Sequence, residues 1–508
     1  MYDFKEFIDT ETIRLSAQDA LLSFANHPLV HFFANHGNKP DFMTTAMLKA
    51  SLFTALKEFP ILVGHIKSAD SGLDAVVIDR DSINMPEFVE SASDVYYRDL
   101  KEACFNWNMW PVGVATTGAT TAPDKSGTIR LLSVHIMRLR DNSGLVLFCN
   151  IPHYIMDGIG YYGFLSRWAM LCKILCTSGS LGRSDSSTDI GPQPAALEYT
   201  FDRKMVKACV SSCQPPLSTL AIKLLTRSSL ASKLLSKMSF SARTRIMSIC
   251  MRVDYGQAHW FHVSHESLEG LRNLAAAQNG GSLPTTMTSY ALLAALVDMP
   301  VARAQMLMKC ARSTIAKGAS AVGTALCTMA AASSAAATHH VLLNTVNMHQ
   351  FIQPQSGCCV GNPVLLHPIY TPFEQLDHET TAESFVDAAT RIAAEIGGID
   401  EAHFAQYINT LNAHPAAHAR FSVFATTAPS MLTIVDERPY KMGSVDFGHG
   451  CPAWISGVPV QMPNFAAFFA QPAHMDDSGV FVYLSLRPGV VRYLVQDVFF
   501  TKYARILF

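Results

Sequence analysis

Charged side chains are scarce in this sequence. Only 16% of its 508 residues are Asp, Glu, Lys or Arg, the formal net charge is -2, and hydrophobic residues make up 49%. A nucleic-acid partner would require an excess of positive charge to neutralise phosphates, so the composition gives no support for one. Disordered chains combine low hydrophobicity with high net charge, which is the opposite balance. The sequence therefore predicts a globular protein with large buried cores, and its length favours two domains.

Several targeting and metal-binding signals are also missing. The twelve cysteines include no C-x-x-C pair, which favours free thiols in a reducing compartment over a zinc site. The first residues, MYDFKEFIDTET, are acidic and lack the basic and apolar regions of a secretory signal, and the final ILF is not a peroxisomal address. We therefore expect a cytoplasmic, monomeric protein without a metal site.

The pattern of the chain predicts two mixed α/β domains separated by a variable segment. Residues 1–180 and 256–508 both alternate strand-like and helix-like stretches, and residues 181–255 begin with a linker rich in Ser, Gly and Pro. Residues 203–252 carry basic residues and no Asp or Glu. This segment fits either a basic amphipathic helix in peripheral contact with an anionic membrane or a solvated helical insertion over the domain junction, and we favour the insertion. Residues 310–338, mostly Ala, Ser, Thr and Gly, form a second, low-complexity insertion.

The stretch Cys149–Trp168 holds the strongest candidate for a functional site. Residues 144–151 (GLVLFCNI) have the continuous apolar character of a strand buried on both faces, and Pro152 cannot extend the hydrogen-bonded ladder. From Ile159 onward the crowded apolar residues predict a buried helix. His153 and Asp157 therefore lie on the turn between a strand and a helix, where rigid elements can hold a histidine at a cleft.

Three interpretations of this turn are open from the residues alone. The glycines of 158–163 match G-x-G-x-x-G, but no second strand ending in an acidic residue follows, which argues against a dinucleotide site. His153 can also be a hydrogen-bonded core histidine, with Asp157 as the N-cap of the helix. The third interpretation is acyl transfer, in which an imidazole of near-neutral pKa takes the proton from an attacking hydroxyl or amine.

The turn 153–158 (HYIMDG) resembles the HxxxDG motif of coenzyme A-dependent acyltransferases. The later stretch 446–450 (DFGHG) resembles the DFGWG motif of BAHD-type acyltransferases, and the two motifs occur in the same order as in that family. Further similarities are distributed over most of the chain. They comprise Leu15-Ser16, the segment 48–66 (LKASLFTALKEFPILVGHI), Gly361-Asn362 and the strand-like stretch 479–486. The long insertions make the sequence more similar to fungal members than to plant members.

The resemblance implies two similar chloramphenicol-acetyltransferase-like domains, each a mixed sheet flanked by helices, with a channel between them. Acyl-coenzyme A would be the co-substrate, with no tightly bound cofactor, and the acceptor would be a small molecule, either a specialised metabolite or a glycolipid. An acetyl or longer acyl group would pass to a hydroxyl group in preference to an amine, without a covalent enzyme intermediate.

The resemblance also implies a role for individual residues. His153 would be the general base, while Asp157 and Gly158 would order the turn. Asp446, Gly448 and Gly450 would be structural, and Thr433 and His449 are the candidates for substrate contact. Two alternatives are a non-catalytic ligand-binding relative and a condensation-type enzyme acting on carrier-bound thioesters. The latter normally has a doubled histidine, whereas Pro152 precedes His153 here.

Two residues depart from the family pattern. His349 occupies the place of the arginine that usually pairs with the motif aspartate, and His449 replaces the tryptophan of DFGWG. Because a histidine pairs with Asp157 as a cation only when it is protonated, we predict a turn more sensitive to pH than one held by arginine. The backbone of the second motif should persist, since Gly448 and Gly450 can adopt conformations that other residues avoid.

Overall fold

The protein is described from a computed structural model. It describes residues 6–22, 25–68, 74–114, 128–178, 199–200, 256–315, 338–352, 358–376, 379–414, 430–461, 463–470 and 479–508. The predicted basic insertion, 203–252, and most of the low-complexity insertion, 310–338, lie outside these residues.

The α-helices of the described residues are distributed over both halves of the chain. In chain order they are α1 (Ala17–Leu21), α2 (Thr45–Glu58), α3 (Tyr97–Glu102), α4 (Gly158–Ser178), α5 (His265–Gln278), α6 (Ser289–Ile315), α7 (Ala382–Gly397), α8 (Glu401–Ala413), α9 (Pro488–Leu494) and α10 (Val498–Tyr503).

The β-strands of the described residues form two large mixed sheets and two small ones. In chain order the strands are β1 (Glu11–Arg14), β2 (Asn26–Ala34), β3 (His65–Ser68), β4 (Asp74–Ile78), β5 (Glu87–Ala92), β6 (Ser133–Arg138), β7 (Gly144–Pro152), β8 (Tyr199–Thr200), β9 (Gly256–Val263), β10 (His339–Asn347), β11 (Cys358–Cys359), β12 (Val364–Pro372), β13 (Met431–Asp436), β14 (Trp454–Ser456), β15 (Val460–Gln461), β16 (Phe465–Ala470), β17 (Val480–Leu486) and β18 (Arg505–Ile506). The small sheets have the orders β1-β4-β3 and β11-β8.

The first large sheet has the order β14-β2-β7-β6-β5. Its pairs are antiparallel except for β5 with β6. Strand β14 comes from the second half of the chain and pairs with β2, Trp454 lying opposite Phe32. A strand from one half therefore completes the sheet of the other, and the two halves are joined by backbone hydrogen bonds as well as by side chains.

The second large sheet has the order β12-β10-β13-β16-β17-β9-β15, with β18 also paired to β9. Strands β10, β13 and β16 run parallel to one another, and the remaining pairs are antiparallel. Both sheets are mixed, and helices cover them. The predicted mixed α/β fold is confirmed.

In the described residues, buried apolar side chains form a core for each large sheet, a smaller cluster around α8, and a cluster that joins the two large sheets. The first core unites α2 and α4 with β7 and with Phe447 of the second motif. The second packs α5, α6 and α7 against β9, β13 and β17. The cluster between the sheets includes the aromatic residues Phe32, Phe148, Trp260 and Trp454. Apolar burial thus holds the two large sheets against each other.

The segment Ser289–Met308 of α6 is long and apolar enough to cross a membrane, with a mean hydropathy of 1.4. However, 83% of this stretch is buried within the protein. Its apolar faces pack on the second sheet and on α7, so it has the surroundings of a core helix.

Two elements lie where the local sequence pattern predicted them. The predicted strand 144–151 is β7, and the helix expected from Ile159 is α4. The patterns do not reveal β2, β12, β16 or α8. In β2, the residues Asn26, His27 and Pro28 interrupt the apolar run. The segment still forms a strand, because it pairs with β7 and β14 in the fold.

Candidate active site

The turn that carries His153 is held at both ends by regular structure. Every residue of β7 is buried, and Pro152 is its last residue, paired with Asn26. The His153 amide then donates to the Ala25 carbonyl at 3.0 Å. On the other side, the Gly160 amide donates to Asp157 Oδ1 at 3.0 Å. Asp157 therefore caps α4 and fixes where the turn ends.

Asn362 determines which ring nitrogen of His153 carries the proton. The Asn362 side-chain Nδ2 donates to His153 O at 2.8 Å and to Asp19 Oδ1 at 2.9 Å. Since both of its donors are used, Oδ1 is the atom that faces His153 Nδ1, at 2.8 Å. An amide oxygen can only accept, so the neutral imidazole carries its hydrogen on Nδ1. The lone pair is then on Nε2, which has no hydrogen-bond partner within the described part of the chain.

Asp19 supports Asn362 from the opposite side. Its carboxylate accepts from the backbone amide and the side chain of Asn362, at 3.2 and 2.9 Å, and from the amide and hydroxyl of Ser16, both at 2.8 Å. Asp19 is completely buried and closes a capping box at the start of α1. The chain Asp19–Asn362–His153 thus fixes the orientation of the imidazole through an amide.

Burial keeps His153 neutral at physiological pH. Desolvation lowers the pKa of His153 below its ordinary value, although Asp157, Asn362 and Asp19 act in the opposite direction. The ring of His27 lies against it, with centroids 3.9 Å apart, and burial and the nearby His153 lower the pKa of His27 as well. Two neutral imidazoles therefore lie side by side, and His153 is in the form that can accept a proton.

Asp157 does not contact His153 through its carboxylate. Its Oδ2 lies 2.7 Å from His349 Nε2, and its amide donates to the Gly361 carbonyl at 3.0 Å. The turn 361–362 from the second half of the chain thus holds the backbone of Asp157 through Gly361 and the ring of His153 through Asn362. Gly158, next in the chain, lies under Tyr440, whose ring would be 2.5 Å from an added Cβ. A side chain at position 158 would displace Tyr440.

The His349–Asp157 pair provides a test of what a charge contributes at position 349. The side chains are 15% and 4% exposed, so solvent screens the pair weakly. A histidine pairs with Asp157 as a cation only in its protonated form, whereas an arginine is always charged. The variant H349R therefore places a permanent charge opposite Asp157. We expect H349R to have a higher thermal midpoint than H349Q, because only arginine keeps that charge.

The neutral variant H349Q serves as the control for this comparison, because it keeps a donor but never a charge. The difference in thermal midpoint between H349R and H349Q measures what the charge contributes. Equal thermal midpoints for the two variants would contradict a stabilising charge opposite Asp157.

The second motif forms a loop against the far end of α4. Asp446 Oδ1 accepts from the amides of Gly448 and Gly450, at 2.8 and 2.9 Å, and Oδ2 pairs with Lys173 of α4 at 2.7 Å. These hydrogen bonds hold the pKa of Asp446 below its usual value despite the opposing effect of burial. Phe447 is completely buried against Trp168, with ring centroids 5.1 Å apart. The loop thus closes over α4.

His449 takes the place of an aromatic residue by packing as one. Its ring meets the ring of Phe42 edge to face, with centroids 5.1 Å apart, and its Nε2 lies 3.7 Å from Cys176 Sγ. Burial lowers the pKa of His449, although the carboxylate of Asp41 acts in the opposite direction. The residue therefore packs in the loop, and in the described part of the chain no contact joins it to His153.

Gly448 and Gly450 both have positive φ angles, +99° and +100°, but differ in their surroundings. A Cβ on Gly448 would lie 2.7 Å from Cys176 Sγ, whereas nothing lies within 4 Å of one on Gly450. We expect G450A to lose about 1–2 kcal/mol from the strained φ alone, and G448A to lose about 1–3 kcal/mol more from overpacking. Denaturant unfolding of the two variants measures the difference. Equal losses of unfolding free energy would show that Cys176 can move aside for the added methyl group without destabilising the fold.

Thr433 lies in β13 of the second sheet, between Leu343 and Phe465 of the neighbouring strands. Its hydroxyl is buried and has no hydrogen-bond partner within the described residues. The predicted residues thus fall into separate groups. His153, Asp157, Gly158 and His349 meet at the start of α4, the 446–450 loop packs on its far end, and in the described ranges no contact links Thr433 with either group.

Asp19, His27 and Asn362 belong to the site but were not predicted from the sequence to act there. Only Gly361-Asn362 left a signal, as a turn similar to one in the family. Its role requires His153, 209 positions away, and Asp19, 343 positions away, which no local pattern connects. Within the described ranges, no group of three or more His, Cys, Asp or Glu is placed to hold a metal ion.

The protein was compared with known proteins by sequence and by fold. The sequence matches the family described as "Transferase family" over residues 5–190 and 257–500, and it matches no curated protein. The matched ranges leave out the segment that contains 203–252.

Solved structures with similar folds have low sequence identity. F. graminearum TRI101, in a complex with coenzyme A and T-2 mycotoxin, has a TM-score of 0.64 at 12% identity, over 98% of this chain and 100% of that one. F. sporotrichioides TRI101, with coenzyme A and T-2, has a TM-score of 0.62 at 15% identity and the same coverage. Vinorine synthase has a TM-score of 0.55 at 16% identity, over 98% of both chains. Because all three identities are this low, the structural similarity establishes the two-domain fold and no more.

Proposed function

Because this chain belongs to the Transferase family, the family of BAHD acyltransferases, we propose that it transfers an acyl group from acyl-coenzyme A to a hydroxyl group of a small molecule, with His153 as the general base. The single observation that carries the proposal is the contact between His153 Nδ1 and Asn362 Oδ1. It leaves the basic Nε2 at a turn between rigid elements, which is what a base for an attacking hydroxyl requires.

The reaction needs no nucleophile from the protein. The acceptor hydroxyl would lose its proton to His153 Nε2 as its oxygen attacks the thioester carbonyl. The imidazolium formed would be stabilised through Nδ1–H, Asn362 and the Asp19 carboxylate. Collapse of the tetrahedral intermediate would break the C–S bond, and Nε2 would return the proton to the departing sulfur. The products are an ester and free coenzyme A.

Other parts of the site hold this arrangement. Asp157 supports the turn through α4 and His349 and is too fully engaged to relay a proton. The TRI101 structures contain coenzyme A and small-molecule ligands, which supports the same two substrate classes for this chain. A monomeric cytoplasmic enzyme acting on a specialised metabolite or a glycolipid, without a tightly bound cofactor, remains our prediction, as does the domain division at 180 and 256.

The direct test is the release of free coenzyme A from acetyl- and longer acyl-coenzyme A in the presence of a panel of alcohols and amines. Ester formation, seen by mass spectrometry, should accompany release. Failure of every donor and acceptor pair would favour the non-catalytic alternative. Activity only with carrier-bound thioesters would favour a condensation-type enzyme.

The pH dependence gives a separate prediction. Since burial lowers the pKa of His153, kcat/KM should remain high as the pH falls to the ordinary histidine pKa of about 6.5. It should decline only below that value, as Nε2 becomes protonated. An acid limb centred above about pH 7 would exclude a desolvated imidazole as the base.

A further inference from the structure

The ring of His27 makes a face contact with the ring of His153. The two centroids are 3.9 Å apart, and the ring planes differ by 34°. Aromatic pairs usually have centroids about 4.5–7 Å apart, and an edge contact would bring the planes close to perpendicular. The two imidazoles therefore overlap at close to van der Waals distance, and the face of His27 covers one side of the proposed base.

His27 comes from a different part of the chain than His153. It lies in β2, opposite Ile151 of β7, and the ring of Tyr161 in α4 has its centroid 5.7 Å from that of His27. Pairing with β7 and packing against α4 thus fix the ring of His27 beside the turn that carries His153.

His27 is not suited to act as the base itself. Its Nε2 is buried and has no hydrogen-bond partner within the described residues, so an acceptor hydroxyl cannot approach that nitrogen. Burial and the nearby His153 lower the pKa of His27 well below its ordinary value, against the opposing effect of the Met156 carbonyl. His27 is therefore neutral at physiological pH, and a charge on His153 further disfavours a charge on His27.

A neutral ring affects the charged form of the ring that it covers. The face of an aromatic ring carries partial negative charge, so it attracts a cation that lies over it, and the attraction is stronger where water is excluded. When His153 takes a proton it becomes an imidazolium, whose charge is spread over the ring in contact with His27. The contact therefore favours the protonated form of His153 over the neutral form.

We propose that His27 is a positioning residue for the base, and that its neutral ring face stabilises the positive charge that His153 acquires from the acceptor proton. The inference rests on the proposed function, in which His153 is the general base. The carboxylates of Asp157 and Asp19 and the side chain of Asn362 also favour the charged form of His153, whereas burial opposes it. Replacement of His27 leaves those groups in place, so the contribution of the ring face can be measured separately.

The variants H27F and H27L separate the ring face from packing. Both remove the ring nitrogens and place an apolar side chain at the position, but only phenylalanine presents an aromatic face. We expect the pKa of His153 to fall by about half to one pH unit in H27L, the size expected of a cation–π contact, and to stay close to the wild-type value in H27F. NMR titration of selectively labelled histidine, without substrate, measures this pKa. The His153 signal is the one that is absent from H153A.

The same two variants are compared in catalysis. Because a weaker base takes up a proton less readily, H27L should lower kcat by about three- to ten-fold, whereas H27F should retain the wild-type value. The acid limb of kcat/KM should move to lower pH in H27L together with the pKa of His153, and the KM for acyl-coenzyme A should be unchanged. H36L, which replaces an exposed histidine, is the control and should alter neither kcat nor the pKa of His153.

An equal shift of the His153 pKa in H27F and H27L, or no shift in either, would overturn the role of the ring face. If H27L does not fold, H27I supplies an aliphatic side chain that strands favour. Activity that is lost in H153A, with a His153 pKa that H27L leaves unchanged, would refute the positioning role and leave acyl transfer standing. A lowered pKa in H27L together with full activity in H153A would refute the general base and leave the ring contact standing.

Discussion

H153A is expected to lower kcat by at least about 100-fold, because a general base usually contributes that much or more to a proton-transfer step. His153 Nε2 is the basic atom that the Asn362 contact leaves available at the turn. Alanine leaves the thioester and the acceptor bound but without a group to take the hydroxyl proton. Steady-state rates of coenzyme A release at saturating acyl-coenzyme A measure the effect.

Two comparisons make the result specific to the base. H36A removes an exposed histidine and should retain wild-type kcat with an unchanged thermal midpoint. H153A should also remain folded, since the turn is anchored by the His153 amide and by Asp157 rather than by the ring. If H153A retained more than about a tenth of wild-type kcat, His153 would not be the base.

N362L is expected to lower kcat by about 10- to 100-fold with a smaller effect on the KM for acyl-coenzyme A, since loss of alignment in a catalytic group costs up to that much. Leucine has a similar shape but gives His153 Nδ1 no acceptor. The proton then distributes between Nδ1 and Nε2, and the ring is free to turn. Substrate binding does not depend on this contact, so the loss should fall mainly on kcat.

The tautomer can be observed directly. Nitrogen chemical shifts of the His153 ring should indicate a proton on Nδ1 in wild type and a mixture in N362L, which a purely structural role would not produce. N409L, on the exposed face of α8, is the matched control and should change neither kcat nor the shifts. A kcat for N362L within about three-fold of wild type would mean that another group fixes the imidazole.

The motifs at the two ends of α4 differ in how far sequence could predict them. The strand, the turn and the start of the helix could be predicted because neighbouring residues cause each of them. The apolar run of β7, the break at Pro152 and the cap at Asp157 lie within fifteen residues of one another. The departures of His349 and His449 from the family pattern were also evident in the sequence, since the resemblance assigns a position to each. The sequence did not show that His349 lies at one end of α4 and His449 at the other, because this separation depends on the length and direction of the helix.

The sequence by itself determined the family, the mixed α/β class, and His153 as the residue to test, because periodic burial and short motifs are local properties of the chain. Tertiary structure alone decided what surrounds that histidine. Asn362 contacts it from 209 positions away along the chain, Asp19 holds Asn362 from 343 positions away, and β14 crosses to the sheet of the other half. Such contacts depend on packing between distant segments, which apolar burial drives but local pattern does not specify.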